Sequence, residues 1–182
     1  MEPISTDRLV LRRWRPDDLE PFAAMNADPE VMEYFPAPLT RSESDALVDQ
    51  FEADFDRYGY SRWALEVRAT GEFAGFTGLA WKTFEAPFTP ALEVGWRLAR
   101  SAWGHGYATE AARAALDHGF GPAGQEEIIS MTAVGNLRSR AVMERLGMTR
   151  DPADDFDHPQ VAEGSPLRRH VLYRLRRPAA GR

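Results

Sequence analysis

The sequence predicts a mixed α/β domain in which an antiparallel start is followed by a βαβα tail. Three observations carry that expectation. Three β-rich runs, Ser61 to Arg68, Phe73 to Trp81 and Ala91 to Leu98, are separated only by Thr70-Gly71 and by the proline-containing segment Ala86 to Pro90, and the first gap suits a hairpin. The third run passes through a glycine-rich turn, Ser101-Ala102-Trp103-Gly104-His105-Gly106, into an alanine-rich helix from Ala108 to about Phe120. Finally, 182 residues at 43% hydrophobic content suffice to bury one core without disulfide or metal staples. One domain over residues 1–182, with its core at about 6–177, is therefore expected.

The elements follow in order. Leu9-Val10-Leu11-Arg12-Arg13-Trp14 reads as a strand, and Pro16-Asp17-Asp18 as the start signal of a helix whose stripe is Leu19, Phe22 and Ala23, ended or redirected by Pro29. A longer helix opens at Thr40 or Ser42. Glu43 and Asp45 sit in its first turn, where the helix dipole favours them, Ala46, Leu47, Phe51 and Phe55 recur at helical spacing, and Gly59 stops it. After the three strands and the alanine-rich helix, Glu127 to Ala133 reads as a strand and Asn136 to Leu146 as a helix closed by Gly147. Asp151 to Asp157 reads as an acidic loop, and His170 to Leu175 alternates as the last strand.

Composition removes several functions. With no cysteine there is no thiol nucleophile, thiolate zinc site or redox dithiol. A net charge of −6 argues against a nucleic-acid partner, whose binding needs a basic face. Met1 to Arg8 contains no apolar segment of a secretory leader, and no run of eighteen apolar residues occurs, so a soluble, cytoplasmic protein without a membrane partner is expected. Asp154, Asp155, Asp157 and His158 lack the spacing of a metal scaffold and read as a solvated loop, so no metal is expected.

Chemistry concentrates at the turn from Trp103 to Thr109. A strand delivering a glycine-rich turn into a helix start aims unpaired amides and the positive dipole end at one point, which suits a phosphate. Gly104 and Gly106 permit close approach, and Ala108 keeps the first helical turn thin. A dinucleotide fold would also use such a turn, but here the sixth position of its fingerprint is Thr109, and three antiparallel-type strands precede the turn.

The run Trp103-Gly104-His105-Gly106-Tyr107-Ala108-Thr109-Glu110-Ala111, followed by Asn136-Leu137-Arg138-Ser139-Arg140-Ala141-Val142-Met143-Glu144-Arg145-Leu146-Gly147-Met148, resembles the GNAT superfamily of acyl-CoA-dependent N-acetyltransferases, specifically its RimJ/RimL-type branch. Ser5-Thr6-Asp7-Arg8-Leu9-Val10-Leu11-Arg12 and His170-Val171-Leu172-Tyr173-Arg174-Leu175 resemble it too, so the likeness spans nearly the whole chain.

The resemblance implies a mostly antiparallel central sheet flanked by helices, with splayed middle strands opening a slot for acetyl-CoA between the strands ending near Leu98 and Ala133. It implies that Trp103, Gly104, His105, Gly106, Tyr107, Ala108 and Thr109 hold the pyrophosphate through backbone amides, that Trp96 to Leu98 pair with the pantetheine arm, and that Asn136 lies beside its thiol end. Trp103 replaces the family's usual Gln or Arg. The family's proton-donating tyrosine is replaced by Met143, and the branch suggests Ser139 instead, which otherwise only caps or solvates its helix.

The implied reaction is direct attack of a neutral amine, either a peptide N-terminus or a small molecule, on the thioester. Glu93, among Leu92 and Val94, is the candidate base; the other reading is an outward strand glutamate paired with an arginine. His105 and His118 have plain readings, as a turn side chain and as a helix-end charge. Arg113, Arg138 and Arg140 either meet phosphates or pair along helices, and Trp14, Tyr34, Phe35 and Trp81 line an acceptor pocket or belong to the core. A strongly acidic Asp151 to Asp157 loop would attract a cationic acceptor, if it is not merely solvated. A homodimer is compatible with the resemblance. The alternative from another class is a non-catalytic acyl-CoA sensor or interaction module on the same fold.

Overall fold

The computed structural model describes residues 2–178. Met1 and residues 179–182, which the single-domain expectation also spans, lie outside the described residues. The strands are β1 (Ile4–Ser5), β2 (Leu9–Arg12), β3 (Arg62–Val67), β4 (Phe73–Lys82), β5 (Ala91–Leu98), β6 (Glu127–Ala133), β7 (Thr149–Arg150), β8 (Phe156–Asp157) and β9 (Arg169–Arg176). The helices are α1 (Leu19–Ala27), α2 (Arg41–Tyr58), α3 (Tyr107–Phe120) and α4 (Leu137–Arg145). Short 3-10 turns at Pro16–Asp18, Arg100–Ala102 and Pro152–Asp154 join them.

The nine strands of the described residues form one sheet, ordered β1-β2-β3-β4-β5-β6-β9-β7 with β8 against β9. Pairing is antiparallel throughout, except that β5 and β6 run parallel. That parallel contact is a single register, Glu93 opposite Ile129. Beyond it the two strands part toward Leu98 and Ala133, so the sheet is split at its centre.

Helix boundaries follow their caps. Thr40 and Glu43 close a reciprocal box at the start of α2: Glu43 N–H donates to Thr40 Oγ1 at 3.3 Å and Thr40 N–H to the Glu43 carboxylate at 2.8 Å. At the end of α4, Gly147 takes φ +81°, the left-handed position that glycine occupies without strain. The acidic segment is less loop-like than its sequence suggests, because β7 and β8 hold both ends of it against β9.

Alternation sorts the core onto two faces. Under α1 and α2, Trp14, Phe22, Phe51, Phe73 and Phe76 form an aromatic cluster with ring centroids 4.6–6.4 Å apart. Against the other face, α3 lays Ala111, Ala112, Ala115 and Leu116, and Leu79, Val94 and Ile128 are buried in the sheet. Small side chains let α3 settle close to the strands that frame the split.

Candidate active site

The split opens a cleft of about 1870 Å³, lined from Arg8 and the α3 turn to His158 and His170. That exceeds an ordinary ligand pocket of roughly 300–1000 Å³ and leaves room for two substrates.

At one end stands the turn entering α3. Gly106 caps the helix at φ +78°, and among the described residues the backbone N–H groups of residues 104–109 donate to no other protein group. Gly104, Gly106, Tyr107, Ala108 and Thr109 line the cleft, so five of these free amides and a helix start stand at its wall, while His105 is not among the lining residues. The amide of Trp103 is not among them: it donates to Arg100 O at 3.3 Å, and its indole Nε1 donates to Leu98 O at 3.0 Å. His105 is an exposed side chain, stacked 5.2 Å from the Tyr107 ring.

Arg8, which the sequence offered only within a resemblance, reaches the same turn. It donates to His105 O at 2.8 Å, stands over the Tyr107 ring at 5.1 Å and pairs with Glu110 at 2.6 Å. Burial works to raise the pKa of Glu110, but hydrogen bonds from Thr6 and Arg8 outweigh it and hold it below the ordinary value. The one carboxylate in the first turn of α3 is therefore neutralised by its neighbours and does not repel an anion there.

On the facing side, Asn136 caps α4. Its Oδ1 accepts from Ser139 N–H at 3.1 Å, and its Nδ2 donates to Thr132 Oγ1 at 3.0 Å. Both ends of the amide are engaged, so the end of β6 and the start of α4 are locked together. Ser139 lines the cleft, with no hydrogen bond to its hydroxyl among the described residues. Met143, at the position where the family often carries a phenol, is 1% exposed within the core. Tyr34 lines the cleft beside Gly135, as the 3.6 Å from its ring to a Cβ built there shows.

Along β5 the residues alternate. Trp96 packs on the core and Leu98 is buried, while Glu93, Gly95 and Arg97 line the cleft from the α1/α2 face. Glu93 is 8% exposed, with Lys82 Nζ at 3.0 Å and an Arg62 nitrogen at 3.6 Å. It is thus inward, contrary to the outward reading, and ion-paired, as that reading expected. Arg62, Lys82 and Arg97 were not singled out by sequence; a charge on a half-buried strand has no local signature.

The remaining expectations resolve individually. His118 is more than a helix-end charge: its ring packs edge-on against Trp63 at 5.3 Å, and burial lowers its pKa. Arg138 pairs with Glu33 at 2.6 Å and lies over Trp103 at 4.6 Å, Arg113 donates to Arg145 O, and Arg140 to Val134 O. Tyr34 and Phe35 line the cleft, Trp14 belongs to the core, and Trp81 donates to Tyr60 Oη outside it. In the acidic segment Asp154 faces Arg174, Asp155 faces Arg150 and Asp157 faces Arg169, so three of its four carboxylates are ion-paired, while Asp151 accepts from Ala153 N–H. His158 packs on Phe84 at 4.8 Å and His170 at 4.9 Å.

A family model described as "Acetyltransferase (GNAT) domain" matches residues 8–149. The chain is 35% identical over 144 residues to the uncharacterised protein YkkB of Bacillus subtilis (strain 168), covering 79% of this chain and 83% of that one. It is 31% identical over 172 residues to an Aspergillus fumigatus protein named FsC-acetyl coenzyme A-N(2)-transacetylase, covering 87% and 72%. Among solved structures, the ribosomal alpha-N-protein acetyltransferase RimL in complex with coenzyme A shares the fold, at a TM-score of 0.76 and 19% identity over 96% of this chain and 98% of that one.

Proposed function

From the premise that the chain belongs to the GNAT acetyltransferase family and is an N-acetyltransferase, we propose that it is of the RimJ/RimL-like type and moves the acetyl group of acetyl-CoA to a primary amine inside the central cleft. The observation that carries this reading is the run of free amides at residues 104–109, set where β5 and β6 part. In it, residues 104–109 bind the pyrophosphate, with Arg8 beside them, and the edge of β5 from Trp96 to Leu98, whose last carbonyl already accepts from the Trp103 indole, pairs with the pantetheine arm through its remaining backbone groups. Asn136 fixes the start of α4 so that the Ser139 hydroxyl faces the thiol end.

The amine nitrogen attacks the thioester carbon, a C–N bond forms and the C–S bond breaks. Glu93 takes the proton released by the amine, directly or through water, and Ser139 passes one to the departing sulfur while taking one back from solvent water, so that the serine is restored and the proton on Glu93 is later lost to solvent. The acceptor is a peptide N-terminal α-amine or a small-molecule amine. The protein acts as one catalytic domain in the cytoplasm, without metal or nucleic acid, and a homodimer is compatible with this reading. A second reading, a non-catalytic acyl-CoA sensor, draws on Met143 standing where a phenol is usual.

Thermal unfolding with acetyl-CoA, free CoA and NAD in parallel tests the assignment. A ligand at about 100 times its Kd stabilises by roughly 2.7 kcal/mol, a rise of several degrees at this size. A rise with both CoA forms and none with NAD is expected, followed by thiol release when amines are added. No rise with CoA overturns the donor assignment; a rise without thiol release from any amine favours the sensor.

A further inference from the structure

The wall of the cleft under α1 and α2 holds a guanidinium that the protein itself leaves unsatisfied. The Arg97 guanidinium lies over the ring of Phe35, at 4.1 Å, and over that of Phe76, at 5.5 Å. Its Nη1 donates to Asn26 Oδ1 at 2.6 Å, and its Nε is buried without a hydrogen-bond partner. Asn26 is itself fully buried and fixed by donating to Ser44 Oγ at 2.8 Å, so this contact is rigid, but it is made to a neutral amide.

The contrast with Arg12 shows what is missing. That guanidinium is 5% exposed, and it meets two carboxylates, Asp18 and Glu66, each at 2.7 Å. Arg97 has no carboxylate partner among the described residues. Burial comes first and the charge of Arg62 second in pushing its pKa down to about 10, so it still carries its full charge at neutral pH.

The surroundings raise the imbalance. Arg62 lies over Phe51 at 5.2 Å, and with Lys82 it shares the single carboxylate of Glu93. Three cations and one carboxylate line this wall, with Asp54 adding only a more distant charge toward Arg62 from outside the cleft lining, in a protein whose net charge is −6. Desolvating cations without partners costs stability, and such an excess inside a cleft marks a place where an anion completes the site. Gly95, between Glu93 and Arg97 on the same face, leaves the floor bare: a Cβ there would meet only Glu93, at 3.6 Å.

We propose that Arg97, backed by Arg62, binds an anionic group on the acceptor, so that the acceptor is a small amine carrying its own carboxylate, laid over Gly95 with its nitrogen toward Glu93. This rests on the acyl-transfer reading and narrows it. Both rings lie against the guanidinium, and the buried Nε left without a partner, with the Nη nitrogen on its side, is the pair of donors that a carboxylate takes from arginine. A cationic or uncharged amine would be received by a wall of its own sign or with its charge unanswered.

The test pairs amino acids of increasing amine-to-carboxylate separation with their carboxamides, and with aminoalkylphosphonates of equal length to separate a carboxylate from a phosphonate preference. The wild-type protein should acetylate carboxylates at least about tenfold better in kcat/KM than their carboxamides, and Arg97→Gln should bring that ratio near one. Arg97→Lys, which keeps the charge but not the two-point geometry, should fall between them. The acetyl-CoA thermal shift is followed in every variant, to report folding and donor binding separately. Equal use of carboxylates and carboxamides by the wild type overturns the proposal, as does a preference that survives in Arg97→Gln. A phosphonate preference replaces the carboxylate with a phosphate-type anion. Absence of any acetyl-CoA shift in the wild type removes the acyl-transfer reading itself, and this inference with it.

Discussion

Arg12 holds Asp18 by two parallel hydrogen bonds, Nη1 to Oδ2 at 2.7 Å and Nη2 to Oδ1 at 2.9 Å, with both residues almost wholly shielded from water. Asp18 also accepts from Arg15 N–H at 2.8 Å, so one carboxylate closes the turn into α1 and answers the charge of β2. Asp18→Asn keeps the shape and removes the charge. Breaking such a buried pair costs about 3–5 kcal/mol, and Glu66, still on Arg12, places the expected loss at the lower end. Urea unfolding should show a reduced midpoint with an unchanged slope, while acetyl-CoA binding by the folded fraction is retained; an unchanged midpoint would contradict the assigned role.

Gly106→Asp should abolish the acetyl-CoA thermal shift in a protein that still folds. The residue stands at φ +78°, where a side chain costs about 1–2 kcal/mol, and the new side chain would start 3.5 Å from Arg8 Nη2, putting a negative charge at the helix start and on the cation proposed to stand beside the phosphate. Gly106→Ala separates the two effects, since it carries the strain without the charge and should weaken donor binding much less.

Ser139→Ala should lower kcat by roughly 10²-fold with the acetyl-CoA KM nearly unchanged, the low end for loss of a general acid. If kcat does not move, the proton comes from elsewhere, and the phenol of Tyr34 is the next group to remove. Glu93→Gln should also lower kcat, most clearly for acceptors whose amine is strongly protonated at neutral pH.

Acid should destabilise the fold before its carboxylates titrate. Burial lowers the pKa of His118, His158 and His170, so in the window from about 6.5 downward the unfolded chain binds more protons than the folded one. Stability contributed by keeping these rings neutral is present above that value and is lost as the pH falls through it. Urea midpoints at pH 7.5 and 5.5 should differ in that direction, and His118→Gln should shrink the difference. Glu110 and Asp155, whose pKa values are lowered, lose their contribution only at more acid pH.

How much of this was legible depends on how local each signal is. The bounds of β5 and β6 coincide with the runs read from sequence, because each is a β-rich segment with turn signals at its ends. The amide turn was legible for the same reason, since residues 104–109 are contiguous and build their own helix start. β1, β7 and β8, two residues each, are too short to alternate. The acceptor wall was illegible because Asn26, Phe35, Arg62, Phe76 and Arg97 come from separated segments, and no spacing links them. The burial of Glu93 beside the cleft could be expected from its place on β5, but its ion pairs could not, since Lys82 and Arg62 reach it only once β3 and β4 are in register.

The single rung between Glu93 and Ile129 has a mechanical meaning. Strands β1 to β5 and strands β6 to β9 are two ladders hinged at one point, and the inner edges beyond the hinge present backbone groups with no neighbour to zip to. A bound chain lying along that seam acts as a missing strand: it restores continuity and stiffens both halves at once. The sheet therefore has its sparsest ladder along the line where it would do its chemistry, and amides near Trp96 and Leu98 should be among the central-strand groups whose hydrogen exchange slows most when the seam is filled.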